Sequence, residues 1–591
     1  MNSYKINKAF IVSNININNE HVPIEIKLNN DYSLFISEDI KCESYFFGDD
    51  AVHILGYAFD ITKPNDISFH ILKGILGEEL TSSSHYINML NGSFVIIKVK
   101  NNLIELFSDA AGFRSPYYTN DLSCVASHDK LIGDIFSKSK KYQRINALDY
   151  SRYEDVYKLV PSLKLTIGKG TERIFPNKTL NHHAYQEILS EMKKHIKNLN
   201  TSLSKIDNKL LIGITGGLDS KCTLALSKQL GNRIDTFTYM KDIYGIQDKR
   251  ARQIYKNDKM IVNRLIKNIN INHEFIEFNV NDVNKEYSAN MFEVTGTTFN
   301  HPIAEIFEKK YKDELEDVLQ FRSVIFSNAK FDYPKEYLMK NMSMQDIYEH
   351  IHLKQLKDCS YQSVVKATEE YLMRTKTELH DDNFIELLDI LHIDSRMGNW
   401  HNQLIKETDK VMDFFNYLND RKTINLLLHL PHEIRMNNLF HKDLINTYWP
   451  VLNFFEDNGS GTLYDYERNA IFQKIAEHGG ILNETNIDFD LDEEMYLLIP
   501  QVNLKDTKKL RYKAEIKRAK DSLLFSNYSN PKGKNYISVV IMNKGIKEII
   551  DIVDLSKGYK LKNNQIYEIE LIYHKETTTQ SWIKAGTLYI K

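Results

Sequence analysis

An acid, a hydroxyl and an ammonium follow two glycines in the stretch KLLIGITGGLDSKCTLALSKQLG, Lys209 to Gly231. The spacing is that of an apolar strand that ends abruptly and opens into a helix. Backbone N–H groups at such a turn, aligned with the positive end of the helix dipole, make an anion site. Gly216 and Gly217 can take positive φ and let a ligand approach the backbone. Thr215, Leu218 and Ser220 complete the cradle, with the Ser220 hydroxyl at the helix start and Lys221 adding positive charge. Asp219 places a carboxylate where Mg2+ can bridge it to phosphate oxygens. The chemistry is that of holding a polyphosphate. A turn serving only backbone geometry is the alternative. The GxxxxGK[ST] pattern of a Walker loop is absent.

The surrounding elements must place this turn at the end of a sheet. Residues 1 to about 175 read as short strands, such as AVHILGYAFDI and GSFVIIKVKNNLIELFSD, broken by Asn, Asp and Gly. From about Asn181 the pattern turns helical, and YQEILSEMKKHIKNL sets Ile188, Met192 and Ile196 on one face. Then follow the strand KLLIGIT, a helix from Ser220, the strand IDTFTYM, the helix DKMIVNRLIKNI and the strand HEFIEFNV. That alternation predicts a parallel sheet covered by helices on both sides. Residues from about 300 to 478 read as mostly helical, and strand patterns return from about 482 in MYLLIPQVNL, YISVVIMN, IYEIELIYH and TLYIK. The expected class is multidomain α/β: a β-rich N-terminal sandwich over 1–178, a parallel α/β domain with a helical extension over 179–480, and a C-terminal β-sandwich over 481–591.

The chain has 591 residues, 42% hydrophobic and 26% charged, and a formal net charge of −3, which gives no bias toward nucleic acid or anionic membrane. Cys42, Cys124, Cys222 and Cys359 are far apart and form no CxxC pair, so neither a zinc site nor a disulfide framework is expected. The N-terminal residues lack a signal-peptide core, and no segment has the apolar length of a membrane span. These features fit a reducing, cytoplasmic location.

TGGLDS resembles the PP-loop, S/T-G-G-x-D-S, of ATP pyrophosphatases. In those proteins the loop holds the β,γ-pyrophosphate of ATP while a substrate atom attacks the α-phosphorus. Upstream, LNGSFVIIKVKNNLIELFSDAAGFRSPYYT and CVASHDKLIGD are similar to the end of the N-terminal glutaminase (Ntn) domain of class B asparagine synthetases. Downstream, LHIDSRMGNWHNQLIKETDKVMDFFNYLNDRKTINLLLHLP and RMNNLFHKDLINTYWP are similar to the end of their synthetase domain. The resemblance spans roughly residues 50 to 455.

Two departures matter. A glutaminase of this type needs a Cys freed as the N-terminal residue, and position 2 is Asn2, so this domain is expected not to hydrolyse glutamine. The S-G-x-G-A-D-E loop of the synthetase half is replaced by DVLQFRSVIFSNAKFDYP, Asp317 to Pro334, which resembles a variant subgroup with an R-G-N-type stretch. There the resemblance gives Arg322 a phosphate contact, with Ser323 in place of Gly, and leaves either Asp219, water and ATP oxygens around Mg2+ or an impaired site. Lys442 matches a lysine that stabilises charge during adenylation and amide formation; a solvated helix lysine is its alternative. Arg396 and Arg421 read equally as nucleotide or substrate ligands and as structural arginines. Asp258 reads as a family acid or as a helix-start acid. His273 and His301 read as ordinary. The strand Thr236 to Met240 is expected to offer backbone groups to adenine. Aromatic residues of the C-terminal domain read as core before sugar platforms.

The resemblance implies an ATP- and Mg2+-dependent ligase that adenylates a carboxylate of peptide, amino-acid or uronic-acid type and passes the acyl group to ammonia or an amine. A homodimer is compatible with it. A pseudoenzyme scaffold is the second reading. A PP-loop enzyme acting on RNA is the third, disfavoured by the near-neutral charge.

Overall fold

The computed structural model describes residues 5–64, 68–141, 147–176, 184–242, 248–279, 284–298, 301–311, 318–334, 337, 343–378, 384–458, 461–462, 487–490, 495–498, 509–516, 522–562, 565–574 and 587–590. Asn2 and the boundary at 480/481 lie outside them. The chain divides into two compact units, Met1–Ser460 and Gly461–Lys591.

The first unit begins with two six-stranded antiparallel sheets. One runs in the order Val156–Lys158, Tyr117–Thr119, Cys124–Ala126, Phe10–Ser13, Ser33–Ile36, Ile24–Lys27. The other runs Gly170–Arg173, Leu163–Thr166, Leu103–Ser108, Leu90–Lys100, Asp50–Asp60, Cys42–Phe47. Phe10, Val12, Leu34 and Ile36 of the first meet Leu55, Val95, Ile97 and Leu106 of the second in one core. Alternate residues of a strand face opposite sides. Accordingly Phe94 and Ile96 turn the other way, onto Ile71, Leu72 and Ile75 of the helix Ser68–Gly77. The strand Leu90–Lys100 is thus buried on both faces, as the apolar run Phe94–Ile97 within it requires.

The second layer is a five-stranded parallel sheet in the order Asn272–Phe278, Ile234–Lys241, Lys209–Gly213, Val318–Phe321, Asp413–Phe415. Three of its strands coincide with the apolar runs read in the sequence. Two do not: VLQF and DFF interrupt the stretch read as helical. The helix read as starting at Asp258 begins earlier, at Lys249, where Asp248 caps it by accepting from Arg250 N. Ile188, Met192 and Ile196 are all fully buried on the helix Tyr185–Leu203.

The antiparallel and parallel layers share charge as well as apolar contact. Arg114, beside the strand Tyr117–Thr119, holds Asp409 at 2.9 Å and Asp413 at 2.7 Å. Lys8 reaches the same Asp413 at 2.7 Å. The pairing offsets part of the burial penalty of these charges. Ile347, Ile351, Val364 and Tyr371, from the helices Met344–Lys354 and Tyr361–Arg374, extend the core between the two antiparallel sheets.

The second unit has a five-stranded and a four-stranded sheet. The four-stranded one is antiparallel, in the order Lys509–Ile516, Gln565–Tyr573, Ile537–Asn543, Ile546–Asp551. Val539, Ile541, Ile569 and Leu571 pack with Leu524, Leu588 and Ile590 of the other sheet. Tyr567 and Tyr573 are buried in that core. Among the described residues no helix is long and apolar enough to cross a membrane.

Candidate active site

The parallel order puts the first strand in the middle and reverses direction there. The crevice at the carboxyl ends of the Lys209–Gly213 and Val318–Phe321 strands is where open α/β sheets bind ligands. Both segments singled out in the sequence leave the sheet at that crevice.

Ile214 finishes the first strand: its N–H donates to Phe237 O at 2.8 Å and its carbonyl accepts from Thr238 Oγ1 at 2.6 Å. The chain then turns. Gly217 N donates to Thr215 Oγ1 at 3.1 Å, and Thr215 N donates to Ser220 Oγ at 3.1 Å. The single Ser220 proton is shared between Gly217 O at 3.0 Å and Thr215 O at 3.2 Å. Ser220 therefore locks the turn as well as lining it. Gly217 caps the helix Leu218–Leu226 with φ −80°, and no side chain caps that end, so its first-turn amides remain available to an anion.

The glycines are needed for space. Neither Gly216 nor Gly217 has positive φ. A Cβ on Gly216 would meet Asn458 Oδ1 and come within 2.9 Å of Asp258 Oδ1. Asp258 sits inside the helix Lys249–Asn268, buried, and accepts from Gly216 N at 2.7 Å and from Asn458 Nδ2 at 2.7 Å. Asn458 N in turn donates to Gly216 O at 2.8 Å. The Gly216 peptide is thus held from both sides.

Lys221 is 2% exposed, and its ammonium donates to Phe455 O at 2.8 Å and Glu456 O at 2.9 Å. Burial brings its pKa down to about 8, against the raising influence of Asp457 and Glu456. The sequence places this charge at the phosphates; the structure places it on the segment leading to Asn458.

Two side chains absent from the sequence reading, a lysine and a histidine, stand at Asp219 instead. Lys330 Nζ lies 2.6 Å from Asp219 Oδ1, and His441 Nε2 lies 3.1 Å from the same oxygen. Burial pushes the Asp219 carboxyl up, but the bond and charge of His441 and the charge of Lys330 outweigh it and hold the pKa below the ordinary value. Lys330 follows the short helix Val324–Ala329. His441 is fully buried on the helix Leu439–Tyr448, against Phe326. Lys442, its neighbour, is half-buried on that helix, and its carbonyl accepts from Asn453 Nδ2 at 3.0 Å.

Arg322 leaves the Val318–Phe321 strand at the crevice. Its N–H donates to Phe415 O at 2.8 Å and its guanidinium lies 4.7 Å from the centre of the Phe414 ring. Its Nε is buried and has no partner among the described residues. Ser323, next to it, ties this segment to the phosphate-loop helix through Thr223, with the hydroxyls 2.9 Å apart. Arg421 goes elsewhere: it is 1% exposed and its guanidinium donates to the carbonyls of Ile87, Ser108 and Pro161 at 3.2, 2.8 and 2.7 Å. It fastens the helix Arg421–Leu428 to the antiparallel layer. Arg396 lies over the Trp400 ring, 3.4 Å from its centre. His273 bonds Thr236 and His301 bonds Thr298, both locally.

Among the described residues no group of three His, Cys, Asp or Glu side chains stands ready for a metal. Among the described residues Asp219 and Asp258 bring carboxylates to the turn, and Asp258 is engaged by Gly216 N and Asn458 Nδ2. That donor set suits Mg2+, which is commonly bound through one or two carboxylates with the rest of its shell from phosphate and water.

No protein-family model matches the chain, and no curated protein does. Solved structures similar to it include an NH3-dependent NAD synthetase from Campylobacter jejuni, at 18% identity over 37% of this chain and 96% of that one, with a TM-score of 0.19. An NMN synthetase from Francisella tularensis matches at 15% identity over 37% and 96%, with a TM-score of 0.19. A glutamine-dependent NAD+ synthetase from Acinetobacter baumannii matches at 10% identity over 40% and 53%, with a TM-score of 0.17. At these scores the likenesses bear no weight on function.

Proposed function

We propose that the first unit is an ATP-dependent amide-forming ligase of asparagine synthetase type, with an Ntn-like N-terminal layer that does no glutaminase chemistry. The observation that carries the reading is the meeting, at the crevice of the parallel sheet, of the Thr215–Ser220 turn with the segment bearing Arg322 and Lys330. An uncapped helix end and an arginine with a buried, unpartnered Nε suit a triphosphate.

In this reading a substrate carboxylate oxygen attacks the α-phosphorus of ATP, and the bond to the bridging oxygen breaks. Pyrophosphate leaves against the first-turn amides of Leu218, Asp219 and Ser220 and the Arg322 guanidinium. Lys330, beside Asp219, compensates the charge that spreads over the phosphate oxygens. Mg2+ held by Asp219 would supply further neutralisation of the leaving group. Ammonia or an amine then attacks the acyl carbon, AMP leaves with the acyl C–O electrons, and the surplus proton passes to water. Lys442 is placed on the helix that also presents His441, and we assign it a supporting charge in this second step. Cys42 and Cys124 serve as no nucleophile in this reading: both lie within strands, and burial raises the pKa of both.

Mg-ATP binding by calorimetry and pyrophosphate exchange with carboxylic acids test the reading. Wild-type binding that Asp219→Ala abolishes, with exchange dependent on an added acid, supports it. No binding by the folded chain sinks it. The second reading, a scaffold that keeps the fold without turnover, is favoured by one feature: the Gly216 amide is already taken by Asp258. Ammonia released from glutamine would contradict both.

A further inference from the structure

Behind the segment that carries Lys330 lies a cavity of about 280 Å3. Its walls are the side chains of Leu388 and Leu391 and the rings of Tyr333, His350, His392 and Trp400, with Gln355 and Ser395 adding polar atoms. His392 and Trp400 belong to a π-helical run, His392–His401, a wide helical form that is rare and concentrates at functional sites. Burial, the largest effect, holds His350 and His392 at a pKa of about 4, so both contribute ring surface and no charge near neutrality.

Charge enters from Arg396 and Lys354, which also line the cavity and, like Asp332, are exposed. Among the described residues neither has an acid partner. Arg396 is held over Trp400 by ring contact, which fixes the guanidinium and leaves its N–H donors to a ligand. The one acid of the lining is Asp332, exposed at the rim. An apolar, ring-lined chamber with a pre-set guanidinium and an ammonium selects a flat apolar body with a carboxylate. The volume lies just under the roughly 300–1,000 Å3 of pockets for drug-sized ligands, which suits a small acid rather than a chain of residues.

The cavity is coupled to the phosphate site by bonds. His392 Nε2 lies 3.1 Å from Ser327 Oγ, on the Lys330 segment. Arg435 donates to Lys330 O at 3.0 Å and to both oxygens of Asp389, and Asp389 accepts from Tyr333 of the cavity wall at 2.8 Å. Three residue steps lead from Lys330 to Tyr333, a reach of about 10 Å at full extension.

We propose that this cavity binds the acid that is activated, and that the acid is a small aryl carboxylate. Its place in the reaction rests on the ligase reading; the binding does not. The test titrates 4-hydroxybenzoate, benzoate, phenylacetate and cinnamate, with 4-hydroxybenzyl alcohol as the uncharged control, into the full chain, Arg396→Gln and Lys354→Gln, with thermal unfolding as the check on fold. At least one acid should bind saturably to wild type and roughly tenfold or more weakly to Arg396→Gln, as expected for loss of a charged hydrogen bond, with a smaller loss in Lys354→Gln. The alcohol should bind weakly and equally to all three. If none of the acids binds, or if both variants bind as wild type does, the proposal is overturned. Pyrophosphate exchange separates the two readings. Exchange with an acid that is indifferent to Arg396→Gln overturns the cavity and leaves the ligase. Arg396-dependent binding without exchange keeps the cavity and overturns the ligase.

Discussion

Lys330 Nζ and Asp219 Oδ1 are 2.6 Å apart, which joins the loop after the fourth strand of the parallel sheet, in sheet order, to the phosphate turn after its central strand. The acid meant for a metal is, in the free protein, the partner of a lysine. Replacing Lys330 by Met removes that charge without changing the length of the chain. Pyrophosphate exchange should fall roughly a hundredfold, the usual loss when one stabiliser of transition-state charge is removed. The unfolding midpoint should move little, because Lys330 is half-buried. Unchanged exchange would remove Lys330 from the reaction.

Gly216→Ala tests whether the glycine is there for space. The new methyl collides with Asn458 and Asp258, and overpacking of this kind costs about 1–3 kcal/mol. Denaturant unfolding should report that loss. The paired change Gly216→Ala with Asn458→Gly should recover part of it, since the nearest colliding atom belongs to the Asn458 side chain.

Arg421→Met strips three carbonyls of their donor. A loss of about 3 kcal/mol or more is expected in unfolding, because each buried unsatisfied acceptor costs about 1–3 kcal/mol. The protein that remains folded should bind Mg-ATP as wild type does. A selective loss of ATP affinity would return Arg421 to the nucleotide site.

Asp413 gives the acid limb of stability a named source. Burial raises its pKa, but Lys8 and Arg114 overcome this and bring it to about 2. A carboxyl depressed on folding stabilises fully above its ordinary pKa, about 4, and ceases to do so as pH falls through about 2. The contribution is about 2.5 kcal/mol, from roughly 1.4 kcal/mol for each pKa unit. Stability measured from pH 5 down to pH 2 should fall less steeply in Asp413→Asn than in wild type.

The strands Lys209–Gly213, Ile234–Lys241 and Asn272–Phe278 were readable because the first holds an apolar run and the other two are five residues or longer and rich in β-branched, aromatic or alternating apolar positions. Val318–Phe321 and Asp413–Phe415 were not, at four and three residues, since no period is visible in so few. The helix start at Lys249 was hidden by KRARQIYKN, which is too polar to carry a helical stripe. The turn itself announced its chemistry through local spacing. Its partners did not. Lys330, His441 and Asn458 reach the turn through tertiary packing, and no local pattern marks one lysine among many as the neighbour of Asp219. Lys221 shows the converse: adjacency in sequence suggested a phosphate ligand, while the side chain's direction on the helix carried it to Phe455 and Glu456.

The segment Phe455–Asn458 is fastened to the phosphate turn at both ends, by the Lys221 ammonium and by the backbone and side chain of Asn458. Glu456 is fastened further, to Arg264. Residues 455–458 thus act as a latch on the turn's own peptide groups. Any rearrangement that frees the Gly216 N–H for an incoming phosphate must break its bond to Asp258, the carboxylate that Asn458 also holds. On the proposed ligase reading, nucleotide affinity depends in part on how readily four residues far along the chain let go, and substitutions there change the apparent grip on ATP without touching it.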